Sequence, residues 1–380
     1  MDCHYFAADL CRSCTHLGTP YDAQLAAKQT RVAGVLGLPD GVWEPAVASA
    51  ESGFRNKAKM VAGGTLAAPT LGILDPHRHG VDLIACGLHS RGIRSALPTL
   101  RDLVTDAGLT PYSVPQRRGE LKHVLVTESP DGELMVRWVL RSTEAIARIR
   151  KRLPALRAAL PIAVATVNLQ PAHAAVLEGT EERVLTETDT LVMRINGLGL
   201  RLSPQSFFQT NTGVAAALYR HARDLVDGID PDGTATIWDL YCGVGGFGLH
   251  LARAGRRVIG VESSAAAIGS ATATATAHGL RGTTWLAGDA TAFATSPDRP
   301  EARAAPDVVV LNPPRRGIGP QLAGWVEASG VPYVLYSSCN AVSLAGDLAS
   351  MPSLAPVSAR LLDMFPQTDH HEVLVLLRRR

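Results

Sequence analysis

The 380 residues are poor in aromatics, with 7 Phe, 7 Tyr and 5 Trp, and nearly without net charge, at +2 at pH 7. A balance so close to neutral does not announce a nucleic-acid binder, although a basic patch can sit on such a chain. No apolar run of about 18 residues occurs, and polar, cysteine-containing sequence follows Met1 directly. Neither a membrane span nor a secretory leader is therefore expected, and the expected compartment is the cytoplasm. Lysine is scarce, at five of the 37 basic residues, which reads as coding bias and not as function. Cysteine is scarce too, at six. In a reducing compartment, clustered thiols suggest metal or catalysis before disulfides.

What is present is enough to fold. Hydrophobic residues make up 46% and charged residues 19%, which excludes a disordered chain, and the length suggests two or three domains. Residues 1–200 show short strand-like runs and turn signals. Val124–Glu128 and Glu133–Leu140 flank Ser129-Pro130-Asp131-Gly132 as a β-hairpin, and Val164–Leu169 with Ala174–Leu177 flank Gln170–His173 in the same way. Helical patterns run over Asp22–Leu36, Leu97–Ala107 and Thr143–Ala159. This half is expected to be an α+β domain on an antiparallel sheet.

Residues 201–380 alternate apolar strands and helices, the pattern of a Rossmann-like α/β domain whose mostly parallel sheet is covered on both faces. The expected strands are Thr236–Leu240, Arg257–Val261, Thr284–Leu286, Asp307–Leu311 and Tyr333–Ser337, with helices over Gly213–Val226, Phe247–Ala254 and Ala265–His278. Glu372–Leu377 reads as an antiparallel edge strand, and Ser296–Pro306, rich in Pro, Arg and Glu, as a surface loop.

Asp239–Gly248, with Gly243 and Gly245, sits at a strand-to-helix junction, where glycine lets backbone approach a ligand. Glu262 ends the next strand, where a carboxylate can bond both ribose hydroxyls of an adenosine, and Asp289 after the third strand can reach an adenine edge. Gly243–Gly248 also satisfies G-x-G-x-x-G, so a dinucleotide oxidoreductase stays open on this motif alone, as does a plain tight turn.

Two later motifs lie at the same sheet edge. Asn312-Pro-Pro-Arg-Arg-Gly317 follows the fourth strand; an arginine after the prolines, where amino-methyltransferases of nucleic acids place an aromatic, argues against that class. Ser337-Ser-Cys-Asn340 follows the fifth. A lone cysteine is more often a small buried apolar residue, but Cys339 stands at the ligand edge among polar neighbours. Thiolate addition at carbon 6 of a uracil would make carbon 5 nucleophilic enough to take a sulfonium methyl. A base must then remove the carbon 5 proton. Thr368–Val373 offers candidates, of which Glu372 is favoured over the alternative that it is an exposed strand-end charge.

These motifs, in this order, resemble the class I RNA (uracil-5-)methyltransferase family. Met1–Cys14, Gly53–Met60, Arg118–Lys122 and Pro204–Asn211 are similar to its branch acting on uridine 747 of bacterial 23S ribosomal RNA. The resemblance implies S-adenosylmethionine as methyl donor, Cys339 as nucleophile and Glu372 as base. It further implies Gln209, Tyr241, Glu262 and Asn312 as cofactor-binding residues. Tyr241 stands where the family often has phenylalanine, and Asn312 replaces an aspartate of sister branches. With no room before Cys3 for the oligonucleotide-binding barrel of some relatives, RNA is expected to be held by the first domain and the rim of the second.

Cys3, Cys11, Cys14 and Cys86 offer four thiolates, which suit either structural zinc or an iron–sulfur cluster. The resemblance implies a [4Fe–4S] cluster, with zinc as the alternative. Arg55, Lys57 and Lys59 alternate, and Arg117, Arg118 and Lys122 cluster, as candidate phosphate contacts; a solvated charged face is the plainer reading. The expected partner is 23S ribosomal RNA, with neither membrane nor DNA, and the expected state is a monomer. The rival readings are a sister specificity for another ribosomal or transfer RNA uridine, an iron–sulfur oxidoreductase, and a non-catalytic RNA-binding module.

Overall fold

The hairpin written into Ser129–Gly132 closes with Gly132 at φ +86°, and the Ser129 hydroxyl accepts from the Glu133 amide at 3.0 Å. In the computed structural model, which describes residues 1–296 and 305–380, this hairpin belongs to a unit of residues 1–14, 51–193 and 203–205. Its strands are β1 (Lys57–Gly64), β2 (Pro69–Leu74), β3 (Gly80–Asp82), β4 (Leu121–Glu128), β5 (Leu134–Leu140), β6 (Ile162–Leu169) and β7 (Glu181–Val184). They form one sheet in the order β3-β2-β1-β4-β5-β6-β7, antiparallel except for β5 and β6. That parallel pair needs a crossover, and the helix Ile146–Ala159 supplies it. Trp138, Leu97, Leu100 and Ile149 share the core of this unit.

Two expectations shift here. The helix placed at Leu97–Ala107 runs from Arg91 to Asp106, with Pro98 inside it. Its start is set from far along the chain: the Glu128 carboxylate accepts from the amides of Gly92 and Ile93, both at 3.1 Å, and from the Ser90 hydroxyl. The strand expected at Ala174–Leu177 does not form, and β6 pairs instead with β7. Asn168 explains the longer connection, since its side chain bonds the amide and carbonyl of Gly179 and the carboxylate of Glu182.

The second unit comprises residues 15–50, 194–202 and 206–380. A single boundary near residue 200 therefore does not describe the chain, because residues 15–50 cluster with the later half. A small ribbon, β8 (Leu191–Ile195, of which Leu191–Met193 count with the first unit) with β9 (Leu198–Leu202), precedes its main strands. These are β10 (Thr236–Leu240), β11 (Arg257–Glu262), β12 (Thr283–Ala287), β13 (Val308–Leu311), β14 (Tyr333–Ser338), β15 (Leu354–Leu362) and β16 (Glu372–Arg379). The order is β12-β11-β10-β13-β14-β16-β15. The first five strands are parallel, and the wholly buried Val308–Leu311 shows why they read as unbroken apolar runs. Trp238 stacks on Trp325 with ring centroids 5.3 Å apart and meets Phe293 edge-on at 4.8 Å.

β16 is antiparallel, as expected, but it is not the edge. It inserts between β14 and β15, and β15 takes the outer position. The segment Trp43–Val47 then runs beside β15, with the Glu44 and Val47 amides donating to Ala359 and Leu361 at 2.8 Å each, which covers that edge. Most of the expected surface loop Ser296–Pro306 lies outside the described residues.

The helix Tyr21–Leu36 carries Lys28, which is 1% exposed. Its ammonium donates to Asp363 Oδ1 at 2.6 Å, to the Phe365 carbonyl at 2.9 Å and to the His370 carbonyl at 3.1 Å. Burial pushes the lysine pKa down and the Asp363 carboxylate opposes it. The pair thus ties the helix to the loop between β15 and β16. Lys28→Met strands a buried carboxylate and is expected to cost about 3–5 kcal/mol in urea unfolding. Lys28→Met/Asp363→Leu should recover most of that loss, and a double variant no more stable than the single one would show that the pair is not what holds the loop.

Candidate active site

The carboxyl edge of the parallel sheet in the second unit opens into a cavity of about 590 Å³. Gln209, Tyr241, Gly243, Glu262, Asp289, Asn312, Cys339 and Glu372 all line it. Eight of the nine residues singled out for cofactor and chemistry therefore share one space, although they come from seven separate stretches of chain. Gly245 does not line it. At φ +84° it turns inward, where a Cβ would meet Leu249 at 2.8 Å and Trp285 at 3.0 Å, so its role is to make the turn. Tyr241 also holds a left-handed φ of +63°, which a ring-bearing residue rarely adopts.

On the cofactor side, Glu262 closes β11. Its Oε2 accepts from the Gly243 amide at 3.3 Å, and its Oε1 from Ser263 Oγ at 2.8 Å and the Ser264 amide at 3.0 Å. The carboxylate is thereby aimed beside the glycine turn, with lone pairs remaining for ribose hydroxyls. Asp289 caps the helix Ala290–Thr295 through the Ala292 amide at 2.8 Å. Behind the wall, Asp239 is fully buried; its Oδ2 accepts from the Gly248 amide at 2.7 Å. Burial, helped by the charge of Glu262, pushes its carboxyl up to about 7.

On the chemical side, Cys339 is half-buried just past β14. Burial and the nearby Glu372 charge raise its thiol pKa, while the Arg315 guanidinium, which hydrogen-bonds it, pulls it back. Asn340 fastens the two loops: its Nδ2 donates to the Arg315 carbonyl at 2.9 Å, and its Oδ1 caps the next helix through the Val342 amide at 3.1 Å. Asp347 braces the Asn-Pro-Pro loop from below, accepting from the Ile318 amide at 3.0 Å and the Tyr336 hydroxyl at 2.6 Å. Glu372 is 3% exposed and opens β16, with Oε1 accepting from the Ser337 hydroxyl. Burial pushes its carboxyl up to about 7. It is not an exposed strand-end charge. A half-buried thiol and a carboxyl titrating near neutrality thus share one cavity with a nucleotide-shaped turn.

The comparisons with known proteins agree with that chemistry. The family model for tRNA (uracil-5-)-methyltransferases matches residues 176–286 and 301–380. A 23S rRNA (uracil(747)-C(5))-methyltransferase of Cronobacter sakazakii is 46% identical over 384 residues, covering all of both chains. The enzyme of the same name from Halothiobacillus neapolitanus is 46% identical over 383 residues, again covering both chains fully. The chain belongs to the RNA (uracil-5-)methyltransferase family. Its fold is also that of a solved structure, the Pyrococcus abyssi tRNA (uracil-54, C5)-methyltransferase with S-adenosyl-L-homocysteine. That structure is 24% identical with a TM-score of 0.79, covering 96% of this chain and 85% of that one. Membership in the uracil-5-methyltransferase family sets aside the oxidoreductase and the non-catalytic module.

Sequence reasoning passed over several residues that this methyltransferase cavity uses. Phe207, Phe208, Tyr219 and Phe365 line it, and Ser337 reaches its carboxylate. Among the candidate RNA contacts, Lys122 is buried and Arg55 and Lys57 are half-buried. Arg55 faces Cys86 and Cys14, with its Nε donating to the Lys57 carbonyl at 3.0 Å. Lys122 is 6% exposed, bonded to Gln170 Oε1 and, at 2.7 Å, to the Ala172 carbonyl. Lys57 is half-buried, and burial, with Lys59 and Arg137 nearby, pushes its ammonium down to about 8. Lys59, Arg117 and Arg118 remain exposed.

In the first unit, the segment Gly53–Arg55 pairs with Gly87–His89 and places Arg55 beside the thiols. Cys14 is pushed up to about 11 by burial and by its neighbours Cys86, Cys11 and Cys3, so the four sulfurs lie within electrostatic reach of one another. Among the described residues, no group of three or more His, Cys, Asp or Glu is gathered tightly enough for a single metal ion.

Asp239 and Glu372 have folded-state pKa values of about 7, above their ordinary 3.8 and 4.5. Through that window the folded chain holds more protons than the unfolded one. Stability is therefore full at low pH and is lost as pH rises through about 7. Asp239→Asn and Glu372→Gln remove the buried charge. Each is expected to raise Tm over wild type by several degrees more at pH 8 than at pH 5, and equal shifts at both would contradict the buried-charge account.

Proposed function

We propose that this chain methylates carbon 5 of a uridine in 23S ribosomal RNA, the one numbered 747 in its relatives, through a covalent adduct on Cys339. The observation that carries the reading is the shared cavity of Cys339, Glu372 and the glycine turn, in a chain 46% identical end to end to proteins of that name. S-adenosylmethionine supplies an electrophilic methyl group, and Gln209, Tyr241, Gly243, Glu262, Asp289 and Asn312 hold it. Gly245 supports them by shaping the turn.

Cys339, as a thiolate steadied by Arg315, adds to carbon 6 of the uracil, and the ring electrons move to carbon 5. That carbon takes the methyl. Glu372 then removes the carbon 5 proton, the carbon 5–carbon 6 double bond reforms and the thiolate leaves. A carboxylate near pKa 7 suits this step, since it is partly ionised at neutral pH and basic enough to accept the proton. The target base must leave its stack to reach the thiol.

Lys59, Arg117 and Arg118 are the exposed cations we assign to RNA phosphates. Cys3, Cys11, Cys14 and Cys86 we assign to a [4Fe–4S] cluster. Four thiols within mutual electrostatic reach suit a group that takes four thiolates, and the half-buried Arg55 beside Cys86 and Cys14 offsets their charge. The group's contribution there is structural. We place the enzyme in the cytoplasm, acting as a monomer.

Labelled methyl transfer into unmodified 23S RNA, mapped by nuclease protection, tests the main reading. Wild type should label one uridine and Cys339→Ala none. Label in transfer RNA instead would favour the specificity that the family model's description and the Pyrococcus enzyme carry. Label retained in Cys339→Ala would overturn the covalent route. For the cluster, anaerobically purified protein should contain iron and acid-labile sulfide, and Cys86→Ser should lose both. Zinc without sulfide would overturn that assignment.

A further inference from the structure

We propose that Ser337 is the positioning residue of the catalytic base: its hydroxyl holds the Glu372 carboxylate ionised and in place for proton removal. The inference rests on the reading of Glu372 as base. It starts from one strand end. Ser337 is the penultimate residue of β14, and Cys339 is the first residue beyond the strand. β16 runs antiparallel beside them, with Ser338 opposite Val373 and Ser337 opposite Leu374, so Glu372 opens its strand where β14 ends. Ser337 is 0% exposed and donates its proton to Glu372 Oε1. Oε2 is left for the proton at carbon 5.

The surroundings show what the hydroxyl must counter. Tyr219, on the helix Thr212–Ile229, is 5% exposed and senses the charges of both Asp239 and Glu372. Cys339 lies just past the end of β14, hydrogen-bonded by Arg315 of the Asn-Pro-Pro loop. His371, next in sequence, is pushed toward its neutral form by burial. Burial therefore drives Glu372 toward its protonated form, which cannot act as a base, and the Ser337 hydroxyl bond opposes it. A cation in place of the hydroxyl would overshoot, since a carboxylate paired with arginine is too weak a base. A single neutral donor leaves the group near 7.

The test separates adduct formation from adduct release in single-turnover reactions with a 23S RNA fragment, from pH 6 to 9. Ser337→Ala should form the adduct at the wild-type rate. Its release should be about fivefold slower near pH 7 and regained at high pH, with the acid limb displaced upward by about one unit. Ser337→Thr, which keeps the hydroxyl, should restore the wild-type limb. Ser337→Cys, close in shape with a weaker donor, carries the same test should the alanine variant not fold. An unmoved acid limb, or both phases falling together at every pH, would overturn the proposal. Glu372→Gln runs alongside. If it accumulates adduct while the Ser337→Ala limb stays put, only the role of Ser337 fails. If Glu372→Gln turns over normally, the base assignment fails and this inference goes with it.

Discussion

The antiparallel pairing of β14 with β16 is the constraint on which the chemistry depends. Parallel strands alone would bring only their carboxyl ends to the cavity, each followed by a loop. By running backwards, β16 delivers its first residue, Glu372, to the point where β14 delivers its last, so Glu372 and Cys339 come to neighbouring strand ends in one cavity. β15 and the segment Trp43–Val47 then cover β16, which is why it can be buried along most of its length. The loop joining β15 to β16 is tied down by Lys28, and that loop places Phe365 in the cavity wall.

Burial sets the electrostatics of this arrangement. Asp239 and Glu372 are both held out of water, and both carboxyls titrate near 7. They are used differently. Asp239 spends its exposed-to-nothing carboxylate on the Gly248 amide, shaping the turn from behind, while Glu372 faces the cavity beside a thiol. The Cys339 thiol answers to two charged neighbours, pushed up by Glu372 and pulled back by Arg315, while the Glu372 carboxyl answers to burial and to the Ser337 hydroxyl.

Much of this was legible in the sequence because the signals are local. The strand-to-helix rhythm after residue 200, the glycine turn, Glu262 at a strand end and Cys339 in Ser-Ser-Cys-Asn each announce themselves within a few residues. What stayed hidden depends on partners far along the chain. Glu128 starts a helix more than thirty residues before it, and no capping pattern at Ser90 reports that. The helix Tyr21–Leu36 reads as part of the first half because nothing in its own residues names Asp363 as the partner of Lys28. Arg55 and Lys122 look like solvated cations until the thiols and Gln170 are placed beside them. Ser337 is one of two adjacent serines, and only the strand register distinguishes it from Ser338.

The most direct test of covalent catalysis at this strand end is a trap. Wild-type protein would be incubated with S-adenosylmethionine and a 23S RNA fragment carrying 5-fluorouridine, then denatured, digested and analysed by mass spectrometry. Fluorine at carbon 5 cannot leave as a proton, so addition and methylation proceed but release does not. The account predicts a denaturation-stable adduct on the peptide containing Cys339. No adduct, or an adduct on the buried Cys242 instead, would contradict it.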